Sequence, residues 1–497
     1  MEKSDRFVRY SLSFLLFFLV GFGLAQKMPL SSETEECIGC HEVIQPGLVQ
    51  SWRDGRHSKI TPQAAFKKEK IKRRISSQPT NPALQKVVVG CYECHALNAD
   101  QHPDTFEHNG YKIHTVVSSK DCATCHAEEA GQYGHNIMAH AYGNLVDNTV
   151  YQQLIKSVIR PASQTDHAGS DFLTMDESCL YCHGTKVTVK GMETRDTEFG
   201  EMKFPVLTGW PNQGVGRLNP DGSLGSCTSC HPRHDFSIET ARQPYTCSEC
   251  HKGPDVPAYK VYSVSKHGNI FKSQGKKFNL TAVPWKIGQD FTAPTCATCH
   301  ASLLTDSEGN VIAERTHQFN DRLAWRLLGV PYAVPHPRTP ELYKIRNSAG
   351  LPLTADLDGS PASKFLITKE EQKRRNDRMQ KICLTCHSSG WVKRHFKRLD
   401  NTIQSTNALT LSATKIMSKI WEKGLADQGN MFDEEPERLW TSLWLFYNNS
   451  TRFASAMAGG GDYGVFANGR YQGTEQLFRL KSWLELHIQM AKKAQKK

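Results

Sequence analysis

Eight times the chain writes Cys-x-x-Cys-His, and every one of its 16 cysteines falls in such a motif. The motifs are Cys37-Cys40-His41, Cys91-Cys94-His95, Cys122-Cys125-His126, Cys179-Cys182-His183, Cys227-Cys230-His231, Cys247-Cys250-His251, Cys296-Cys299-His300 and Cys383-Cys386-His387. Two thiols at this spacing reach the two vinyl groups on one porphyrin edge, and the histidine that follows lies under the iron and supplies one axial bond. This is the attachment chemistry of c-type haem, and eight covalently bound haems are expected. A structural zinc site would not need a histidine after every second cysteine. A disulfide framework would not enforce one spacing eight times.

Eight of the 21 histidines are proximal, which leaves thirteen. An electron-transfer haem takes a second strong ligand, whereas a catalytic haem keeps one side open. The best-placed distal candidates are His57, His135, His140, His234, His267, His317 and His395. His102, His108, His114, His167, His336 and His487 remain, and the sequence alone does not pair any of them with a haem.

The elements that must hold these groups divide the chain. Residues 1–25 read as an export signal: Lys3, Arg6 and Arg9 precede the apolar run Leu12–Ala25, and Gly23 and Ala25 suit a cut before Gln26. The run is short of the about 20 residues a membrane span needs, and no other stretch is long and apolar enough. The mature chain is expected outside the cytoplasm, in a periplasm or equivalent compartment, without a membrane span. The formal charge of +11 is scattered rather than gathered in a stripe, which argues against nucleic acid and suits a polypeptide that offsets haem propionates.

Residues 26–365 are expected to form a multihaem domain holding haems 1–7, with loop-rich connections such as TGWPNQGVGRLNPDGSLGS, Thr208 to Ser226. Motifs five and six, separated by 15 residues, should lie close together. Residues 366–497 are expected to be helical and to carry haem 8. Thr368-Lys369-Glu370-Glu371 reads as a capping box. Leu409, Ile416 and Ile420 share one helical face, as do Leu439, Leu443 and Phe446, and then Leu477, Leu480, Leu484 and Ile488. The fold class is mainly α with extensive loops and little sheet, a multihaem cytochrome c domain followed by a bundle of long helices. One stretch breaks the helical pattern: AGGGDYGVFANGRYQG, Ala458 to Gly473, where each glycine in a helix would cost about 1 kcal/mol relative to alanine.

Together these features resemble the octahaem hydroxylamine oxidoreductase family, which includes hydrazine dehydrogenases and nitrite-reducing relatives. The most specific stretches are GWPNQGVGRLNPDGSLGSCTSCHPRHDFSIETAR (Gly209 to Arg242), CSECHKGPDVPAYKVYSVSKHG (Cys247 to Gly268), RTHQFNDRLAWRLLG (Arg315 to Gly329) and WVKRHFKRLD (Trp391 to Asp400). The resemblance implies seven bis-histidine haems that relay electrons. It implies a fourth haem, on Cys179, Cys182 and His183, that is catalytic and open on its distal side. In oxidising members a tyrosine from a neighbouring subunit of a trimer cross-links to that haem; reductive members generally lack the link. Tyr463 matches that tyrosine and Tyr471 is the second choice, with Phe466 where the family has tryptophan and Asn468 where it has histidine. The family's distal Asp-His pair appears as Asp255-Val256, so the carboxylate is kept and the imidazole is lost.

The implied activity is oxidation of a small nitrogen compound, hydroxylamine or hydrazine, with His183, Asp255 and Tyr463 at the catalytic haem and electrons leaving to a cytochrome or a quinone-linked acceptor. Two alternatives stand beside it: reduction of nitrite to nitric oxide, hydroxylamine or ammonium, and a non-catalytic electron-transfer subunit paired with an active homologue. A homotrimer or a heteromer of trimers is implied.

Overall fold

The computed structural model describes residues 28–159, 178–459 and 461–495. The export segment, His167 and Gly460 lie outside them. Helices dominate, and the strands are few and short. The exception is a largely exposed antiparallel hairpin, β1 (Thr188–Thr197) and β2 (Gly200–Thr208). Among the described residues no helix is long and apolar enough to cross a membrane.

In the motif-bearing part, most Cys-x-x-Cys-His segments form a single helical turn, as in Cys91–His95, Cys179–His183 and Cys296–His300. One turn sets the two thiols and the imidazole around one edge. The first motif instead lies inside α1 (Ser32–Ile44), whose N-cap Ser31 accepts a hydrogen bond from Thr34 N. The last closes α2 (Lys369–Cys383), where Thr368 accepts from the backbone of Glu371, one half of the expected capping box.

The C-terminal part is built on α3 (Ser389–Glu422), against which α4 (Glu435–Thr441), α5 (Asn448–Ala456) and α6 (Arg470–Ala494) pack. Its core holds Met417, Ile420, Trp421, Trp440, Leu443, Trp444, Leu480 and Leu484. Each such side chain taken fully out of water contributes roughly 1.5–3 kcal/mol. All three helical faces legible in the sequence meet in this cluster, with Leu409, Ile416, Leu439, Phe446, Leu477 and Ile488 packed at its rim.

A polar seam runs beside that core. Thr402, Thr406, Thr410 and Thr414 recur every fourth residue of α3, and each hydroxyl bonds the carbonyl one turn back. The seam then receives the next helices. Trp440 Nε1 donates to Thr414 at 2.9 Å, Asn448 Nδ2 to Thr410 at 2.8 Å, and Arg452 Nε to Thr406 at 2.9 Å. Arg452 is completely buried, and burial lowers its pKa to about 9.

The glycines of Ala458–Gly473 have a local explanation. A side chain on Gly469 would strike the Gly464 carbonyl, and one on Gly459 would strike Ser265. The segment therefore closes against its own chain as tightly as a backbone allows.

A second buried polar cluster lies near motif two. His102 is buried with Asp104 on Nδ1 at 3.3 Å and Asp121 on Nε2 at 3.1 Å. Burial opposes its charging, but the two carboxylates prevail and raise its pKa to about 9. Because the folded value lies above the unfolded one, this ion pairing is fully present below pH about 6.5 and is lost as pH rises through about 9. Thermal unfolding of the wild type should therefore fall in temperature across that window. The His102→Asn protein should be less stable at low pH and flatter across it.

Candidate functional site

The thiols map how the motifs lie in space. Cys37 neighbours Cys91, Cys122 neighbours Cys227, Cys182 neighbours Cys250, and Cys247 neighbours Cys296. Cys94 and Cys125, Cys230 and Cys247, and Cys299 and Cys383 are in electrostatic reach. The motifs thus form one connected series, 1–2–3–5–6–7–8, with motif 4 joined at motif 6. Motifs five and six are neighbours as their spacing suggests, yet Cys227 and Cys247 have their nearest thiol partners in motifs three and seven.

A continuous cavity of about 1710 Å³ runs along motifs three to eight and reaches Cys94 of motif two. It is lined by both cysteines of motifs three to eight and by His126, His183, His231, His251, His300 and His387. All sixteen cysteines are free of disulfides. Among the described residues no cysteine belongs to a cluster able to hold a metal ion. The cavity also presents Arg74 and Arg242, lowered by burial to about 10 and 9, with no ion pair to a carboxylate among the described residues. Free thiols, imidazoles on apolar walls and desolvated arginines fit propionate-bearing haem.

Histidine pairs give the spacing a bis-histidine haem needs. Two imidazoles on opposite sides of one iron, with metal–nitrogen bonds of about 2 Å, hold their ring centres roughly 6 Å apart. His41 and His108 lie 6.2 Å apart, His57 and His126 6.3 Å, His231 and His317 6.5 Å, and His267 and His387 6.1 Å. His234 is in electrostatic reach of His95. The similar 6.1 Å separation of His95 and His114 is a different arrangement: His95 Nδ1 donates to the His114 carbonyl, so His114 lies on the side away from Nε2. Burial lowers His57, His234 and His317 to about 4, which keeps the imidazoles neutral, the form that binds metal. Nδ1 of His108 and of His317 is buried without a protein partner.

His336 and His395 are buried and line the same cavity. Between His387 and His395 lies Trp391, stacked on the first at 4.1 Å and on the second at 5.1 Å. His135 and His140 are not brought to the cavity: their rings bond the carbonyls of Gly131 and Gly134, both at 2.8 Å. Of the remaining histidines, His108 is brought beside His41 and His336 to the cavity, without a local sequence signal.

Around motif four, His183 Nδ1 donates to the Ala141 carbonyl at 3.1 Å, which leaves Nε2 for the iron. The loop after β2 packs backbone to backbone against it. A side chain on Gly216 would strike Ala141 N and His183 O, and Gly184, at φ +89°, has no room beside Arg217. Asp255 and Val256 line the cavity with His183, and the Asp255 charge acts on His183. The Asp255 carbonyl accepts from Asn449 Nδ2 at 3.2 Å, and Asn449 Oδ1 accepts from Gly329 N and from Arg452. The helical part thereby fixes the backbone that presents Asp255, a role no local sequence signal carried. Tyr463 and Tyr471 do not line the cavity. Tyr463 is half-buried and its hydroxyl accepts from Asn468 at 3.1 Å, while Tyr471 is 59% exposed beside Phe466.

Comparison with known proteins agrees with this geometry. A profile described as seven times multi-haem cytochrome CxxCH matches residues 222–324, and one described as cytochrome c554 and c-prime matches 31–118 and 121–203. A solved structure titled "Hypothetical multiheme protein" is 40% identical and superposes with a TM-score of 0.89 over 94% of this chain and 98% of its own. A curated relative, the probable nitrite reductase-hydroxylamine oxidoreductase fusion protein of Kuenenia stuttgartiensis, is 23% identical over 424 residues. The chain belongs to the multihaem c-type cytochromes. This cytochrome spans 39% of the fusion protein's length, the alignment covering 81% of its own. A reducing hydroxylamine oxidoreductase-like complex of Kuenenia stuttgartiensis shares its fold, with 18% identity and a TM-score of 0.63 over 100% of this chain and 89% of that one. Covalently bound c-type haems follow for this cytochrome as for its family.

Proposed function

We propose that this cytochrome binds eight haems and acts as an oxidoreductase on a small nitrogen compound at the haem of Cys179, Cys182 and His183. A count of histidines carries the reading. His108, His234, His57, His317 and His267 serve motifs 1, 2, 3, 5 and 8. Buried His336 and His395, which line the same cavity, are assigned to motifs 6 and 7, and among the described residues no further non-proximal histidine lines the cavity for His183. Of the others, His102 and His114 stack on each other, His135 and His140 do not line the cavity, and His487 stacks on Trp483.

A haem held by Cys179, Cys182 and His183 would supply an electrophilic metal centre there. Asp255 exchanges protons with the bound nitrogen compound and orients water there. Val256, beside it, offers no proton-accepting imidazole. The other seven sites carry electrons to or from motif 4 through motif 6.

The direction best supported is reduction of nitrite, to nitric oxide, hydroxylamine or ammonium. In the arm that carries Tyr463, Phe466 and Asn468 stand where oxidising members of the family have tryptophan and histidine. The loss of imidazole at Val256 removes the acceptor that oxidation of hydroxylamine or hydrazine would use. Oxidation is the second reading, favoured by the retained Asp255 and by the Gly-Asp-Tyr arm itself.

The exported holoprotein, reduced by a viologen dye, should consume nitrite, and its ferrous spectrum should lack a band to the red of ordinary c-type haem. A red-shifted band that vanishes in Tyr463→Phe or Tyr471→Phe, with hydroxylamine oxidation by the isolated chain, would reverse the direction. Inactivity with every nitrogen substrate in a fully haem-loaded chain would leave an electron-transfer subunit paired with an active homologue.

A further inference from the structure

The connected series of motifs has two ends, motif 1 and motif 8. These are also where thiols reach the surface: Cys40 and Cys386 are exposed, and the other fourteen cysteines are not. The haems at the ends are thus the ones whose edges a second protein can approach.

The two ends carry opposite charge. α1 holds Glu33, Glu35, Glu36 and Glu42 and no lysine or arginine. At the other end, residues 369–400 hold ten lysines and arginines against four acidic residues. Ion pairs within α2 occupy part of that charge: Lys373 with Asp377, and Arg374 and Arg375 with Glu371. Lys393, Arg394 and Lys397 are exposed, follow motif 8 on one face of α3, and pair with no carboxylate among the described residues. Leu384, inside the motif, is 47% exposed and adds an apolar centre beside Cys386.

We propose that the surface framed by Leu384, Cys386, Lys393, Arg394 and Lys397 docks an acidic electron-transfer protein, which exchanges electrons with the haem of motif 8. The proposal rests on the eight-haem relay above but not on chemistry at His183. Long-range attraction between the basic face and an acidic partner raises the encounter rate, and Leu384 gives the complex a dry contact next to the exposed thioether edge. Each encounter moves one electron: the ferrous haem becomes ferric as the partner's redox centre is reduced, or the reverse.

The test uses the full holoprotein, chemically reduced, freed of reductant and mixed without any nitrogen compound. Two oxidised acceptors are compared by stopped flow, an acidic blue-copper protein and a basic c-type cytochrome. At low salt the acidic acceptor should oxidise the haems about tenfold faster or more, and the advantage should vanish as salt screens the charges. Lys393→Glu/Arg394→Glu/Lys397→Glu should remove that advantage, and the corresponding Gln triple variant should remove part of it. Glu35→Lys/Glu36→Lys, at the opposite end, should leave it intact. Haem content checks loading of motif 8 in each variant. Equal rates for the two acceptors, or triple variants that behave as wild type, would overturn the proposal. So would salt-sensitive self-association of the wild type that the triple variants abolish, because the face would then bind a second copy of this chain.

Discussion

Asp255→Asn should lower turnover of the nitrogen substrate roughly 10²-fold or more while the haem spectra stay unchanged. Asp255 is the carboxylate that shares the cavity wall with His183, and its charge reaches His183, Cys182 and His251. Asparagine keeps its size and its hydrogen-bonding shape but cannot exchange a proton. A positioning role alone would let asparagine retain most of the rate, and the pH dependence of kcat would not change. If Asp255 handles protons, the limb of the pH profile belonging to it disappears. Val256→His is the complementary experiment: an imidazole restored beside Asp255 should raise hydroxylamine oxidation relative to nitrite reduction. Unchanged kinetics in both variants would remove Asp255 from the chemistry.

Arg452→Ala should destabilise the protein by about 3–5 kcal/mol, measured by thermal or denaturant unfolding of the holoprotein. The guanidinium is completely buried and donates to Thr406 Oγ1, Leu327 O and Asn449 Oδ1. Its removal leaves a void in the polar seam, takes this donor from Thr406 Oγ1 and Leu327 O, and leaves Asn449 Oδ1 with Gly329 N alone. The loss also travels to the site, because Asn449 holds the Asp255 carbonyl at 3.2 Å and is itself oriented by Arg452. Asn449→Ala should therefore lower activity by a larger factor than its smaller effect on stability would suggest, with haem content unchanged.

What the sequence disclosed follows the range of the forces involved. Haem attachment is written in five consecutive residues, so all eight motifs were legible. The apolar faces of the C-terminal helices were legible for the same reason: Ile420, Leu443 and Leu480 repeat with a helical period, and they meet in one core. Axial pairing is not local. His57 meets His126 and His231 meets His317 across long stretches of chain, and His108 sits at the end of a four-residue strand that nothing marked as a ligand site. His135 and His140 bond the carbonyls of Gly131 and Gly134, and neither lines the cavity. The glycines of the C-terminal arm pointed to a close approach without saying to what. The structure answers for Gly469 and Gly459, which approach the protein's own backbone and Ser265. The support of Asp255 by Asn449 joins residues far apart in the chain, and only the fold displays it.

The central claim is that the haem on His183 has no second histidine while the other seven do. Electron paramagnetic resonance of the fully oxidised holoprotein, with haem content measured on the same sample, tests this directly. The account predicts low-spin bis-histidine signals from seven of every eight haems and one open haem, whose signal alone shifts when nitrite is added. Eight bis-histidine haems, or an open haem that persists unchanged when Cys179 and Cys182 are both replaced by alanine, would contradict it.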